Sequence, residues 1–275
     1  MEHFENYLEG VQGTKLFFQA WLPKTPPKAI IQIMHGYSEH GGRYLNVVNE
    51  LVPRSYAIYI SDHRGHGKSE GPRAYVKSFN QFIEDQKRFY DLIKARHPQI
   101  PLFVLGHSMG SVVARLFVAK YPEGIKGIVL SGAGTKFGSM NPFFKFVADI
   151  LFIFLPKMRI AMDTADLLSH DPKVVRNYRE DNLVFKKSTV QLGVELIKGL
   201  RKSIRLSKKI QIPTLVQAGS KDKLLTNAKR NAQILKMKDK TIKIYDGLYH
   251  EVYNELESDR SRVLNDLGNW LDAHL

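Results

Sequence analysis

A serine on a predicted strand-to-helix turn is the strongest chemical signal in this sequence. Leu102–Leu105 form a short apolar run typical of a buried strand, and Gly106–Gly110, reading GHSMG, follow directly. Apolar residues then recur at helical spacing until Pro122 ends the predicted helix. In a strand, G-x-S-x-G, helix arrangement the central serine, Ser108, has its hydroxyl exposed on a strained turn, as a nucleophile requires.

The residues beside this serine favour the same interpretation. Side chains at 106 and 110 would collide where strand and helix pass closely, so both glycines are needed. The backbone N–H of Met109 points from the helix N-terminus to the place where an oxyanion would form. The alternative is a plain strand-to-helix turn in which Ser108 only caps the helix.

A catalytic serine needs a base, and that base needs a group to orient it. Asp222 follows the predicted strand Pro213–Ala218, and His250 follows the last predicted strand, Thr241–Tyr245. Parallel strands end at one edge of a sheet, so we expect Ser108, Asp222 and His250 to converge there. His250 would take the serine proton, and Asp222 would hold its imidazole in the required tautomer.

Other residues compete for these roles. Asp246 lies four residues before His250, but we interpret it as a turn residue. The side chain of His107 should point away from Ser108, and Glu251 adjoins the proposed base too closely to orient it easily. We expect His35 to brace its own loop through hydrogen bonds.

The elements that position these residues alternate between strand and helix from residue 29 to residue 131. This order predicts a mostly parallel sheet with helices on both faces. Two strands, Glu5–Val11 and Thr14–Leu22, come before it, while residues 136–210 show no clear strand. We therefore expect a core formed by residues 1–135 and 211–275, with a helical cap inserted at 136–210.

The predicted cap is strongly basic and contains an apolar run. Residues 136–210 hold 15 lysines and arginines against 7 aspartates and glutamates, and apolar residues concentrate between Phe143 and Leu155. An apolar segment flanked by cations is typical of a helix that lies at a membrane surface. A helix packed on the core with its charges in water would show the same pattern, so both interpretations stay open.

The composition excludes some kinds of chemistry. The chain of 275 residues has no cysteine, which excludes disulfides, thiol catalysis and thiolate zinc sites. Two histidines and an arginine lie in the loop at 61–71, but it fits neither a phosphate-binding pattern nor a zinc-ligand spacing, so we interpret it as a structural loop held by side-chain hydrogen bonds. We expect no metal and no cofactor.

The net charge of +14 would suit nucleic acid, an anionic membrane or simply a solvated surface. No nucleic-acid-binding fold is recognisable, so we expect no nucleic-acid partner. We see no signal peptide at the N-terminus and no apolar run of the ~18 residues that span a bilayer. A cytoplasmic protein is expected, with peripheral membrane association as an open alternative.

Five motifs, taken together, resemble the monoacylglycerol lipase and lysophospholipase family of α/β hydrolases. They read HGYSEHGGRY, DHRGHGKSEG, GHSMGS, GSKDKL and YDGLYHEVYNE, and the resemblance runs from about residue 5 to residue 272. It implies an α/β-hydrolase fold and metal-free hydrolysis of a glycerol ester with one long acyl chain. It assigns Ser108, Asp222 and His250 to the triad, and the N–H groups of Tyr37 and Met109 to the oxyanion hole.

Two positions depart from the family pattern. Ser111 replaces the glycine usual after the elbow, and Tyr37 stands where a smaller residue is common, which would narrow the pocket. We therefore expect a serine carboxylic-ester hydrolase acting on monoacylglycerols, with lysophospholipids or general carboxyl esters as the alternative. A non-enzymatic binder of anionic surfaces is a remote alternative.

Overall fold

The computed structural model describes residues 1–137 and 155–275. The predicted apolar run from Phe143 therefore lies outside the described residues, except for Leu155 at its end. None of the helices in the two described ranges is long and apolar enough to cross a membrane.

The described residues form twelve strands and seven α-helices. The strands are β1 (Glu2–Glu9), β2 (Lys15–Leu22), β3 (Ala29–Met34), β4 (Tyr56–Ser61), β5 (Leu102–His107), β6 (Ile125–Ser131), β7 (Lys136–Phe137), β8 (Arg159–Ala161), β9 (Lys187–Thr189), β10 (Thr214–Gly219), β11 (Leu225–Thr226) and β12 (Lys240–Tyr245). The helices are α1 (Leu45–Leu51), α2 (Asn80–Arg96), α3 (Met109–Lys120), α4 (Pro172–Glu180), α5 (Val190–Leu206), α6 (Ala228–Ile234) and α7 (Glu257–Ala273).

Eight of the described strands form one sheet in the order β1-β2-β4-β3-β5-β6-β10-β12. Strand β2 pairs antiparallel with β1 and β4, and the pairs from β4 to β12 are parallel. Strands β3, β4, β5 and β10 are buried along their whole length, which explains why they appear in the sequence as continuous apolar runs rather than alternating ones.

Helices cover both faces of this sheet. Apolar side chains of α2 and α3, among them Phe89 and Phe117, pack in one buried cluster. Side chains of α1 and α7, among them Leu51 and Trp270, pack in a second cluster on the other face. The predicted α/β-hydrolase fold, with a mostly parallel sheet between two helical layers, is confirmed.

The region from 136 to 210 contains short strands, so the prediction that it lacks strands was wrong. Strand β8 pairs antiparallel with β9, and β7 pairs with β11. Each of these strands has only two or three residues, too few for an alternating pattern to appear in the sequence. The described part also holds α4 and α5, and the predicted limits of the cap stay a prediction.

Candidate active site

Ser108 lies between β5 and α3 in a strained backbone conformation. Its φ of 51° and ψ of −118° lie where a residue with a side chain is rarely found. Its N–H donates to the carbonyl oxygen of Ser131 at 3.0 Å. Its carbonyl oxygen accepts bonds from the N–H of Ser111 at 2.9 Å and from the Ser111 hydroxyl at 2.7 Å. Ser111, which replaces the usual glycine, thus helps to hold the turn.

The two glycines of the elbow allow α3 to approach the sheet. A Cβ on Gly110 would lie 1.9 Å from the carbonyl oxygen of Met34, and one on Gly106 would lie 2.4 Å from that of Gly110. Both distances are far too short for non-bonded atoms. The close approach places the start of α3, and with it Ser108, at the carboxyl end of the parallel strands.

Asp222 and His250 form a buried hydrogen-bonded pair at the same edge of the sheet. The Nδ1 atom of His250 donates to Oδ2 of Asp222 at 2.7 Å, and both side chains are almost fully buried. The other carboxylate oxygen, Oδ1, accepts the N–H groups of Leu224 and Leu225 at 2.8 and 3.1 Å. The carboxylate is therefore fixed on one side and orients the imidazole on the other.

The electrostatics of this pair suit a base and its partner. Burial acts to lower the pKa of His250, but the charge and hydrogen bond of Asp222 raise it overall. Burial acts to raise the pKa of Asp222, yet His250 and the two backbone N–H groups lower it overall. Each group thus favours the charged form of the other, and Nε2 of His250 remains available for a proton from elsewhere.

Ser108 and His250 both line a cavity of about 660 Å³. Among the described residues no direct hydrogen bond joins the Ser108 hydroxyl to His250. Catalytic contacts are often long in enzymes without substrate and shorten in the reacting complex. The cavity is lined mainly by apolar side chains from the core and from residues 160–197, including Val112, Met162, Leu167, Leu168, Leu196 and Leu225.

The two candidate oxyanion donors border the same cavity. Tyr37 and Met109 both line it, and in the described ranges neither backbone N–H donates to a protein acceptor. Gly36, just before Tyr37, lies so close to Ser108 that a Cβ there would be 3.3 Å from the serine Cβ. The structure thus brings together Ser108, His250, Tyr37 and Met109, with Asp222 behind the histidine.

The competing residues lie in other environments. Asp246 is exposed in the turn after β12, where its carboxylate accepts a bond from Ser220 at 2.9 Å. Burial and the nearby His250 lower the pKa of His107 to about 3, and its Nδ1 lies 3.3 Å from the Ser131 hydroxyl. His35 donates to the carbonyl of Gly36 and accepts the N–H of His63, so it braces its loop.

A buried ion network lies beside the pair of Asp222 and His250. Arg43 bonds both carboxylate oxygens of Glu251 at 2.7 and 2.9 Å and also contacts Glu39 at 2.9 Å. Glu39 in turn accepts the N–H of Gly36 at 2.6 Å. The network joins the loop after β3 to the loop that carries His250. No pattern in the sequence connects Arg43 to Glu251, 208 positions away.

The histidine-rich loop at 61–71 has a structural role. Asp62 accepts the N–H groups of Gly41 and Lys68, at 2.7 and 2.8 Å. Arg64 makes two bonds to the buried carboxylate of Asp85, at 2.6 and 2.7 Å. Burial lowers the pKa of His63 to about 3, so it stays neutral. Asp62 and Arg64 thus hold the loop in place through these contacts.

Comparison with known proteins decides the family. Residues 25–257 match the family model described as serine aminopeptidase, S33. The chain is 34% identical to a monoacylglycerol lipase of Mycolicibacterium smegmatis over 275 residues, which cover 98% of each chain. The protein belongs to the monoacylglycerol lipase family of α/β hydrolases. It is a serine ester hydrolase.

Two further proteins show how far the likeness extends. The human monoglyceride lipase is 32% identical, over 96% of this chain and 89% of its own length. A soluble variant of the Saccharomyces cerevisiae monoglyceride lipase, solved in complex with a substrate analog, superposes with a TM-score of 0.88 at 20% identity, covering 98% of this chain and 94% of that one. At this identity the yeast structure supports the fold alone.

Proposed function

We propose that this protein hydrolyses monoacylglycerols to a fatty acid and glycerol, with Ser108, His250 and Asp222 as its catalytic triad. The observation that carries the proposal is that Ser108 and His250 face one cavity of about 660 Å³ while Asp222 holds His250 from behind. Small-molecule pockets typically measure about 300–1,000 Å³ and are mainly apolar.

The proposed reaction has two halves. Oγ of Ser108 attacks the ester carbonyl carbon while its proton passes to Nε2 of His250, and the N–H groups of Tyr37 and Met109 stabilise the resulting oxyanion. The intermediate collapses, and glycerol leaves with the proton from His250. Water then gives a proton to His250 and attacks the acyl-enzyme, and the fatty acid is released as Oγ of Ser108 takes that proton back from His250.

The lining of the cavity supports a substrate with one long apolar chain. Leu167, Leu168 and Leu196 come from the region between β8 and the middle of α5, and they line the cavity together with Val112 and Leu225. Burying an acyl chain among such side chains contributes about 0.8 kcal/mol per methylene group. Two family members named for monoacylglycerol or monoglyceride hydrolysis, at 34% and 32% identity, support the same head group.

Lysophospholipids are the alternative substrate. They also carry one acyl chain, and the exposed Lys223 that lines the cavity could contact a phosphate. The triad would act in the same way on either ester, so only the head group separates the two proposals.

We also propose that the protein collects its substrate at a membrane surface. Leu155 and Met158 are 52% and 37% exposed, and the cations Lys157 and Arg159 alternate with them in the chain. Ile160 and Met162 are 44% and 43% exposed, and both line the cavity. Together Leu155, Met158, Ile160 and Met162 form an apolar rim that leads into the cavity. Exposed apolar groups among cations suit reversible contact with anionic lipid.

The test compares wild-type protein and Ser108→Ala on a long-chain monoacylglycerol and on lysophosphatidylcholine. Loss of a triad serine costs roughly 10⁴- to 10⁶-fold in rate, and shortening a small turn side chain should leave the fold intact. We expect wild-type turnover to be faster on monoacylglycerol. Faster turnover of lysophosphatidylcholine would favour the alternative, and an active Ser108→Ala would refute the triad itself.

A further inference from the structure

The side chain of Tyr37 joins the loop after β3 to strand β9. Its hydroxyl is hydrogen-bonded to Oγ of Ser188, a residue 151 positions further along the chain. The Ser188 hydroxyl also lies 3.5 Å from the carbonyl oxygen of Thr189, to which it can donate. Either hydroxyl can donate in this pair, and both residues line the cavity.

The same two segments touch at a second place. The N–H of Phe185 donates to the carbonyl oxygen of Ser38 at 3.2 Å, and the Phe185 ring packs edge-on against Tyr37 with 5.5 Å between ring centroids. Strand β9 is itself tied to the core, because the N–H and hydroxyl of Thr189 both bond to the carbonyl oxygen of Ala74. The segment 185–189 is therefore a fixed support for the loop.

These contacts hold the backbone of residue 37 from several sides. Glu39 accepts the N–H of Gly36 at 2.6 Å, Phe185 bonds the carbonyl of Ser38, and Ser188 bonds the Tyr37 side chain. Ser38 has a positive φ of 66°, an unusual conformation that needs such support. The direction of the Tyr37 N–H depends on this support.

We infer that the hydrogen bond between Tyr37 and Ser188 positions the Tyr37 N–H as an oxyanion donor, so that β9 supports the catalytic centre. The inference rests on the proposed function. The side chain of Tyr37 has a positioning role, because its hydroxyl affects the reaction only through the backbone of the same residue. Burial raises the pKa of Tyr37 to about 12, so the hydroxyl keeps its proton at neutral pH.

The inference predicts a particular kinetic change. An oxyanion donor acts on the transition state, so a less well-placed donor lowers kcat and leaves KM nearly unchanged. Removing one neutral hydrogen bond that orients the donor should lower kcat about three- to tenfold. KM for a short soluble ester should change by less than about twofold.

The test measures kcat, KM and thermal unfolding for Tyr37→Phe, Ser188→Ala and the double variant on a short soluble ester. Tyr90→Phe is the matched control, because its hydroxyl donates to the carbonyl of Glu123 at 2.8 Å, away from the cavity. We expect each single variant to lower kcat. The kcat of the double variant should be no lower than that of either single variant, since all three lack the same hydrogen bond. Tyr90→Phe should keep wild-type kcat.

Several results would overturn the inference. Wild-type kcat in Tyr37→Phe, additive losses in the double variant, or a change confined to KM would each show that the pair only forms part of the cavity wall. Ser188→Ala tests the bond from its other end if Tyr37→Phe fails to fold. Ser108→Ala, assayed alongside, separates the proposed triad from the positioning role of Tyr37. An active Ser108→Ala would contradict the triad, whatever the kcat of the Tyr37 variants.

Discussion

Nδ1 of His250 lies 2.7 Å from a carboxylate oxygen of Asp222, whereas Asp246, only four residues before the histidine, bonds Ser220 in an exposed turn. Proximity in sequence therefore does not identify the partner of the base. The residue 28 positions away meets His250 because both follow neighbouring parallel strands, β10 and β12.

Replacing the two aspartates tests this assignment. Asp222→Asn should lower kcat roughly 10⁴-fold, because an amide favours the wrong imidazole tautomer. Asp246→Asn is the matched control and should keep activity close to wild type. Turnover of a soluble ester with purified variants measures both. The opposite ranking would assign the acid to Asp246.

The pH dependence of turnover should report the ionisation of His250. A base must be neutral, and the pKa of His250 is raised above its usual 6.5, so activity should rise with pH and reach half its maximum above that value. His107, with a pKa of about 3, and Glu251, with a pKa of about 2, keep one charge state over this range. A pH profile of kcat/KM on a soluble ester provides the measurement, and a midpoint below 6.5 would contradict the pairing.

The pair of His250 and Asp222 should also make the free energy of unfolding depend on pH in a definite direction. Because folding raises the pKa of His250, the contribution of this histidine is fully present below its unfolded pKa, about 6.5. That contribution is lost as pH rises through the folded pKa. Urea unfolding of wild type and Asp222→Asn over this pH range measures the free energy of unfolding of each protein. The difference between the two free energies should shrink as pH increases, and a difference that grows with pH would contradict the raised pKa of His250.

The glycine at the elbow should be intolerant of a methyl group. Gly110→Ala would place Cβ 1.9 Å from the carbonyl oxygen of Met34, so α3 must shift, at a cost of about 1–3 kcal/mol or more. Gly193→Ala is the matched control, since Gly193 is also helical but has open space around its Cβ. It should stabilise the fold by up to about 1 kcal/mol. Thermal unfolding tests both, and equal melting temperatures would contradict the close approach.

Membrane contact at the apolar rim can be separated from chemistry. Leu155→Glu with Met158→Glu should lower liposome co-sedimentation and turnover of vesicle-borne monoacylglycerol, because carboxylates replace exposed apolar groups. Neither residue lines the cavity, so hydrolysis of a short soluble ester should survive. Tyr7→Glu with Ile242→Glu, 51% and 38% exposed on outer strands, is the matched control. Equal losses in both double variants would refute docking through the rim.

The features visible in the sequence are those with strong local signals. Leu102–Leu105 are all apolar because β5 is buried on both faces, and Gly106 and Gly110 mark the close approach of α3. The convergence of strand ends predicts that Asp222 and His250 lie together, and in the structure they are hydrogen-bonded. The bonds between Arg43 and Glu251 and between Tyr37 and Ser188 join residues 208 and 151 positions apart, and no local pattern indicates such pairs. Strands β8 and β9 were missed because three residues show no periodicity.

The apolar lining of the cavity also bears on how the reaction ends. On the proposed mechanism an uncharged ester enters, but the fatty acid is released as a carboxylate at neutral pH. An anion loses its hydration among such side chains, which costs free energy. The protein should therefore hold its product less tightly than its substrate, and accumulated fatty acid should slow turnover little.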